Sequence, residues 1–120
     1  MQHNINMTNR KLRSRRSFIF TPALKPAMFE KALLSGSDIV CVELEDGIAP
    51  KDKKKARENA LKIFENYTDS SKVEQVLRVN CIREKYGIDD IVAVIEAHSP
   101  PPVLMLPKVN NPEEIFILDK

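Results

Sequence analysis

The stretch Asp38–Gly47, DIVCVELEDG, runs from an apolar segment suited to a buried strand into three carboxylates and a turn glycine. Read as a strand over Asp38 to Leu44, its side chains alternate, so Cys41, Glu43 and Glu45 share one face while Val40, Val42 and Leu44 share the other. One face packs and the other ends in acids. Two like charges about 4 Å apart repel by roughly 4 kcal/mol at an effective dielectric near 20. Glu43, Glu45 and Asp46 together therefore call for a cation or a bound proton. The plainer alternative is that Glu45 or Asp46 caps the next helix and the others are solvated.

Working outward, Ser17 to Phe20 is a short apolar run stopped by Thr21 and Pro22. Pro26 then opens a helical segment with Met28, Phe29, Ala32 and Leu33 on one face. Gly36 suits its C-cap. After the acids, Pro50 precedes a helix whose Ala56, Ala60, Ile63, Phe64 and Tyr67 recur at spacings of three and four, leaving Lys51, Lys53, Lys54 and Lys55 mostly as its wet face. Gln75 to Asn80 reads as a third strand. Gly87 leads into a helix with Ile88, Ile91, Val92 and Ile95, which the Pro100–Pro102 run ends. Val103 to Leu106 is the fourth strand, and Asn111 before Pro112 starts a last helix with Glu113 and Glu114 in its first turn.

Four strand and helix units in alternation, about 30 residues each, predict an α/β fold with a parallel sheet, either doubly wound or part of a barrel. Eight such units make a closed barrel of roughly 250 residues, so four read as a fragment with two strand edges to cover. Both architectures put the ligand site at the C-terminal ends of the strands. Arg78 and Asn80 share a face at the end of the third strand. There Arg78 either grips a substrate carboxylate bidentately, satisfies the neighbouring acids, or does both; a purely structural Arg78–Glu45 pair is the alternative. Lys108, after Pro107, adds a second cation to this rim unless it is simply solvated.

Composition narrows the class. The 120 residues are 42% hydrophobic and 30% charged, ordinary values for one globular domain, and no apolar run nears a membrane span. The net charge of +2 is too small to imply a polyanionic partner. The basic start, with Arg10, Lys11, Arg13, Arg15 and Arg16, has no secretory apolar stretch behind it. Residues 1–14 are expected to form a disordered tail, with a mitochondrial presequence or a phosphate-touching arm as alternatives. Cys41 and Cys81 lack the number and spacing of a disulfide framework or a zinc site and read as reduced cytosolic thiols. His3 and His98 read as tail and surface residues.

These residues resemble, in order, the superfamily of citrate lyase beta subunits, malyl-CoA lyases and HpcH/HpaI aldolases. Its start reads RRS, an F-x-P turn, an F-x-K-A-L helix, D-L-E-D-G and a K-x-x-A-R helix. The matches are Arg15 to Ser17, Phe20 and Pro22, Phe29 to Leu33, Glu43 to Gly47, Lys54 to Arg57, Arg78 to Asn80, and Leu106 to Val109. Each is weak alone, but the ordered set is specific.

The resemblance implies the first half of a TIM (β/α)8 barrel over residues 15–120. It also implies a reaction in which Mg2+ stabilises an enolate as a carbon-carbon bond of a beta-hydroxyacyl-CoA breaks or forms. On this pattern Arg78 holds the carboxylate or carbonyl end of the substrate, Phe20, Lys25 and Lys31 contact it or its coenzyme A moiety, and Glu45 and Asp46 order Arg78 and metal-bound water. Glu43 stands where Asp is usual, and Lys25 where several members have Arg. The family's direct Mg2+ ligands, a Glu and an Asp, lie on later strands, as does its acid or base. No direct metal ligand is therefore expected in this chain, which alone is expected to be inactive. The resemblance further implies a homo-oligomer for the full-length protein, while the thiols and the basic start are read as placing it in the cytoplasm, or in the mitochondrial matrix of a eukaryote. The rivals are an aldolase acting on free 2-oxo acids, and a noncatalytic half-barrel whose basic segments bind an acidic partner. With two Tyr and no Trp, nothing supports a nucleic-acid reader.

Overall fold

The computed structural model describes residues 15–67 and 72–118, with side chains as far as residue 115. The expected tail at 1–14 lies outside the described residues. In chain order the elements are β1 (Phe18–Pro22), α1 (Pro26–Leu33), β2 (Ile39–Glu43), a 3-10 turn (Pro50–Asp52), α2 (Lys53–Phe64), β3 (Glu74–Arg78), α3 (Lys85–Glu96), β4 (Leu104–Met105) and α4 (Glu113–Leu118). The strands form one parallel sheet in the order β1-β2-β3-β4. This is the alternating arrangement that the spacing predicts.

Register decides what meets at the C-terminal edge. Pro22 pairs with Glu43, Glu43 with Arg78, and Arg78 with Met105, so one rung carries a carboxylate beside a guanidinium. The expected alternation on β2 holds: Val40, Val42 and Leu44 join Leu77, Val79, Ala56, Ala60, Phe64 and Phe29 in the layer between sheet and helices. Burying side chains of this size stabilises by about 1.5–3 kcal/mol each. Ile39, Cys41 and Val76 form a smaller cluster on the opposite face with Met105. Phe18 and Phe20, in register with Ile39 and Cys41, pair their rings at 4.8 Å beside it.

Three helix readings need correction. On α1, Phe29 and Ala32 are buried but Met28 is 43% exposed. On α3, Ile88, Val92 and Ile95 are exposed, while Gly87, Asp90 and Ile91 face inward. The cause is a close approach: a Cβ on Gly87 would lie 1.9 Å from the Cys81 carbonyl oxygen. Only glycine lets α3 lie this near the end of β3, and that contact, together with bonds to Asp90, fixes the rotation of the helix.

On α2, Lys53 is not part of a wet face but is buried, donating to the Leu44 carbonyl at 3.0 Å and the Glu45 carbonyl at 2.6 Å. It is also the lysine that stands three residues before Ala56, so the K-x-x-A-R pattern begins here rather than at Lys54.

At the opposite end of the sheet, Asp38 Oδ2 accepts from the backbone N–H groups of Arg16 and Ser17, and Ser17 Oγ accepts from the Asp38 N–H. The Arg-Arg-Ser motif thus ties the start of β1 to that of β2. α1 is capped by Leu34 rather than by Gly36, which stands two residues further on at φ +90° and turns the chain toward β2. The last helix has Glu113 and Glu114 in its first turn as read, but it begins at Glu113, one residue later than the Asn111–Pro112 signal placed it, and Glu114 Oε2 accepts from the backbone N–H groups of Asn110 and Asn111 ahead of it.

Candidate active site

β2 and β3 end side by side, and their last residues make the centre of the site. Arg78 grips Glu43 bidentately, with Nε 3.0 Å from Oε1 and Nη2 2.5 Å from Oε2. The same Nη2 lies 3.3 Å from Glu45 and 3.5 Å from Asp46. Lys108 Nζ reaches Glu45 Oε2 at 2.5 Å and Asp46 Oδ1 at 3.4 Å. Three acids and two cations thus form one cluster. The guanidinium also lies 4.9 Å from the centre of the Phe20 ring, a cation–π arrangement.

The electrostatics follow from this packing. Glu43 and Glu45 are buried, and Glu43 Oε1 also accepts the Glu45 backbone N–H. Burial works against the charge on Arg78, but Glu43, Glu45 and Asp46 outweigh it and raise its pKa. The Lys108 ammonium is raised chiefly by its bond to Glu45. The Asp46 carboxyl is held below the ordinary carboxylate range, first by its contact with Glu45, then by Lys108 and Arg78. Cys41, one register step from Glu43, has its thiol pushed up to about 12, mainly by desolvation and then by the charge of Glu43.

The structure therefore brings together Phe20, Glu43, Glu45, Asp46, Arg78 and Lys108. Neither Glu45 nor Asp46 caps α2, and Lys108 is not merely solvated. Lys25 stands at the start of α1, just past the rim end of β1, whereas Lys31 is in the last turn of that helix, which leads back toward the start of β2. Asn80 departs from the strand alternation. It lies beyond β3 and turns its amide away from Arg78, toward Asp90 on α3.

Four supporting residues escaped the sequence reading. Lys53 anchors the carbonyls at the end of β2. Asp90 accepts from Asn80, and Arg57 donates to Asp90. Arg83 donates to the Lys108 carbonyl at 2.7 Å, beside a Lys108 backbone at φ 52°, a left-handed conformation costly for a side-chain-bearing residue. The available signal was the K-x-x-A-R pattern for Lys53 and Arg57. Asp90 carried none, since an acid within an amphipathic helix reads as solvated.

Among the described residues no group of three or more histidine, cysteine or acidic side chains is placed to hold a metal ion. The acids at the rim are engaged by Arg78 and Lys108. Among the described residues no helix is long and apolar enough to cross a membrane.

Comparison with known proteins agrees with this geometry. The chain is 28% identical over 117 residues to citrate lyase subunit beta of Escherichia coli K12, covering 96% of this chain and 37% of that protein. It is 33% identical over 108 residues to an L-malyl-CoA/beta-methylmalyl-CoA lyase of Cereibacter sphaeroides, covering 89% of this chain and 34% of the relative. Among solved structures, RipC from Yersinia pestis superposes with a TM-score of 0.67 at 32% identity, covering 88% of this chain and 40% of that one. CitE from Mycobacterium tuberculosis, in complex with magnesium, acetoacetate and coenzyme A, gives 0.69 at 26%, covering 88% and 38%. The chain thus spans little more than a third of the length of the curated relatives it matches, and its four β/α units correspond to the first part of their TIM barrel. The HpcH/HpaI aldolase/citrate lyase profile matches residues 16–120, and the chain belongs to that family.

Proposed function

We propose that the chain is the N-terminal portion of a carbon-carbon lyase that cleaves or forms beta-hydroxyacyl-CoA thioesters, with Arg78 holding the carboxylate or carbonyl end of the substrate. The observation that carries this is the placement of Arg78. Its guanidinium is fixed bidentately by Glu43 at the C-terminal ends of parallel strands and lies against Phe20. Its contact with Asp46 is long, at 3.5 Å, and Asp46 is 66% exposed, so an incoming carboxylate displaces that contact at the least cost. Glu43 stays in place and keeps the fork aimed.

The other groups divide the work. Glu45 and Lys108 hold the rim closed behind Arg78, and Asp46 orders Arg78 and nearby water. Lys25, at the start of α1, is on the rim side for contact with coenzyme A phosphates, with Phe20 against the acyl portion. Magnesium enters from the relatives: the rim acids Glu43, Glu45 and Asp46 are paired with Arg78 and Lys108, so its direct ligands are expected from outside this cluster. When bound, it would stabilise enolate charge.

Steady-state kinetics of the full-length protein with a beta-hydroxyacyl-CoA and Mg2+ test this. Arg78→Ala is expected to lower kcat/KM by about 10²–10³-fold, the usual size for losing one preorganised donor. Unchanged catalytic efficiency would remove Arg78 from the role given to it. The position of Lys31, at the far end of α1, favours as a second reading an aldolase on free 2-oxo acids that needs no phosphate contact. A KM that rises with salt supports the thioester, and a salt-insensitive KM the free acid.

A further inference from the structure

We infer that Asp90 is a positioning residue for Arg78, acting through the Asn80 turn and itself held by Arg57. The inference rests on the reading of Arg78 as the substrate-holding arginine. Asp90 is 1% exposed, a costly place for a carboxylate unless every lone pair has work. Its Oδ2 accepts from the Asn80 backbone N–H at 2.9 Å and from Asn80 Nδ2 at 2.7 Å. Its Oδ1 accepts from Arg57 Nε at 2.9 Å. One buried acid therefore joins α2, α3 and the residue two places beyond Arg78.

The segment between is held at every step. The Arg78 carbonyl accepts from Leu44 N–H, and Val79 N–H donates to the Met105 carbonyl. Asn80 is then clamped by Asp90, while Gly87 brings α3 against the carbonyls of Asn80 and Cys81. β2 has a parallel device, since Lys53 holds the carbonyls of Leu44 and Glu45. Lys53 and Arg57 are four residues apart on α2. That helix thus anchors both strand ends, β2 directly and β3 through Asp90, and so sets the offset at which Glu43 meets Arg78.

Asp90→Asn tests this, because either orientation of the new amide puts an NH2 group against Arg57 or against the Asn80 donors. The first readout is hydrogen exchange at Arg78 Nε, followed by arginine-selective 15N labelling of the full-length protein. Asp90→Asn is expected to speed this exchange about tenfold relative to a variant of α3 matched in overall stability, such as Ile91→Val or Ile91→Ala. Equal rates in the two variants would overturn the inference, since Asp90 would then act only through stability. If Asp90→Asn does not fold, Asn80→Ala must shift the exchange in the same direction, and no shift is equally fatal. The second readout is kinetic. Asp90→Asn is expected to lower kcat/KM about tenfold alone but to have no further effect in an Arg78→Ala background, and an additive loss would refute the coupling. A protein without lyase activity would sink the functional reading yet leave the exchange comparison intact.

Discussion

Removing Arg78 while leaving Glu43 buried should destabilise the protein by an amount that depends on pH in a calculable way. Arg78 and Glu43 have side chains 19% and 9% exposed, and their two hydrogen bonds join the ends of β2 and β3. Breaking such a pair from one side typically costs about 3–5 kcal/mol, because the surviving charge is stranded. Here the stranding is partial. Glu43 keeps the Glu45 N–H, and Glu45 keeps Lys108.

A ceiling also exists, because a stranded carboxylate can take up a proton instead. Neutralising a glutamate whose solution pKa is ~4.3 costs about 3.7 kcal/mol at pH 7 and about 1 kcal/mol at pH 5, from roughly 1.4 kcal/mol per unit. Arg78→Ala should therefore lose about 3 kcal/mol at pH 7. Protonation removes the stranded charge more cheaply as pH falls, so the variant's stability relative to wild type should recover, leaving a loss of about 1 kcal/mol at pH 5 plus whatever packing against Phe20 contributes. Urea unfolding of the full-length protein, with m-values checked for constancy, measures both numbers. Adding Glu43→Gln should restore most of the loss at pH 7 without restoring turnover, separating the pair's structural part from the catalytic one. A destabilisation equal at pH 5 and pH 7, or a double variant no more stable than Arg78→Ala, would show that Glu43 is not left charged, and the electrostatic account of the site would fail.

Gly87→Ala gains about 1 kcal/mol of helix propensity but sets a methyl 1.9 Å from a backbone oxygen, so a net loss of about 2 kcal/mol or more is expected in urea unfolding; a neutral result would mean α3 does not pack as described. Asp46 has its folded pKa depressed, so its contribution is present above the unfolded value near 4 and lost as pH falls through the folded one. Asp46→Asn should accordingly flatten the acid limb of the stability curve, and an unchanged limb would count against its pairing with Lys108. Cys41, buried and with its thiol pushed up to about 12, should resist a disulfide reagent at pH 8 until the protein unfolds. Rapid labelling of Cys41 in the native protein would contradict its placement under the sheet.

Much of this arrangement was legible in the residues, and what escaped had a common physical cause. Strand alternation placed Glu43 and Cys41 on the face opposite Val40 and Val42 because a period of two leaves no choice once one face is buried. The carboxylates at that strand end call for a cation or a bound proton, and Arg78, at the matching end of the next strand, is one way to supply it. The helices were harder. The periodicity of α3 offered Ile88, Ile91, Val92 and Ile95 as one apolar face, yet the protein turns in Gly87, Asp90 and Ile91 instead. A glycine at van der Waals limit and a carboxylate with three donors outweigh apolar area that remains exposed, and neither signal has a period.

The same cause explains Lys53. A lysine in a run of three reads as solvated, and only the two carbonyls left open where β2 ends give it a reason to be buried. Strand pattern locates the charged side chains that face the site, whereas the groups that aim them act on backbone atoms at the strand ends, which no side-chain pattern displays. Arg78 and Glu43 can thus be read from alternation alone. The tasks of Lys53 and Asp90 become visible when each carbonyl and N–H beyond the last strand residue is asked for its partner, and Arg57 then follows as the cation that a buried Asp90 needs.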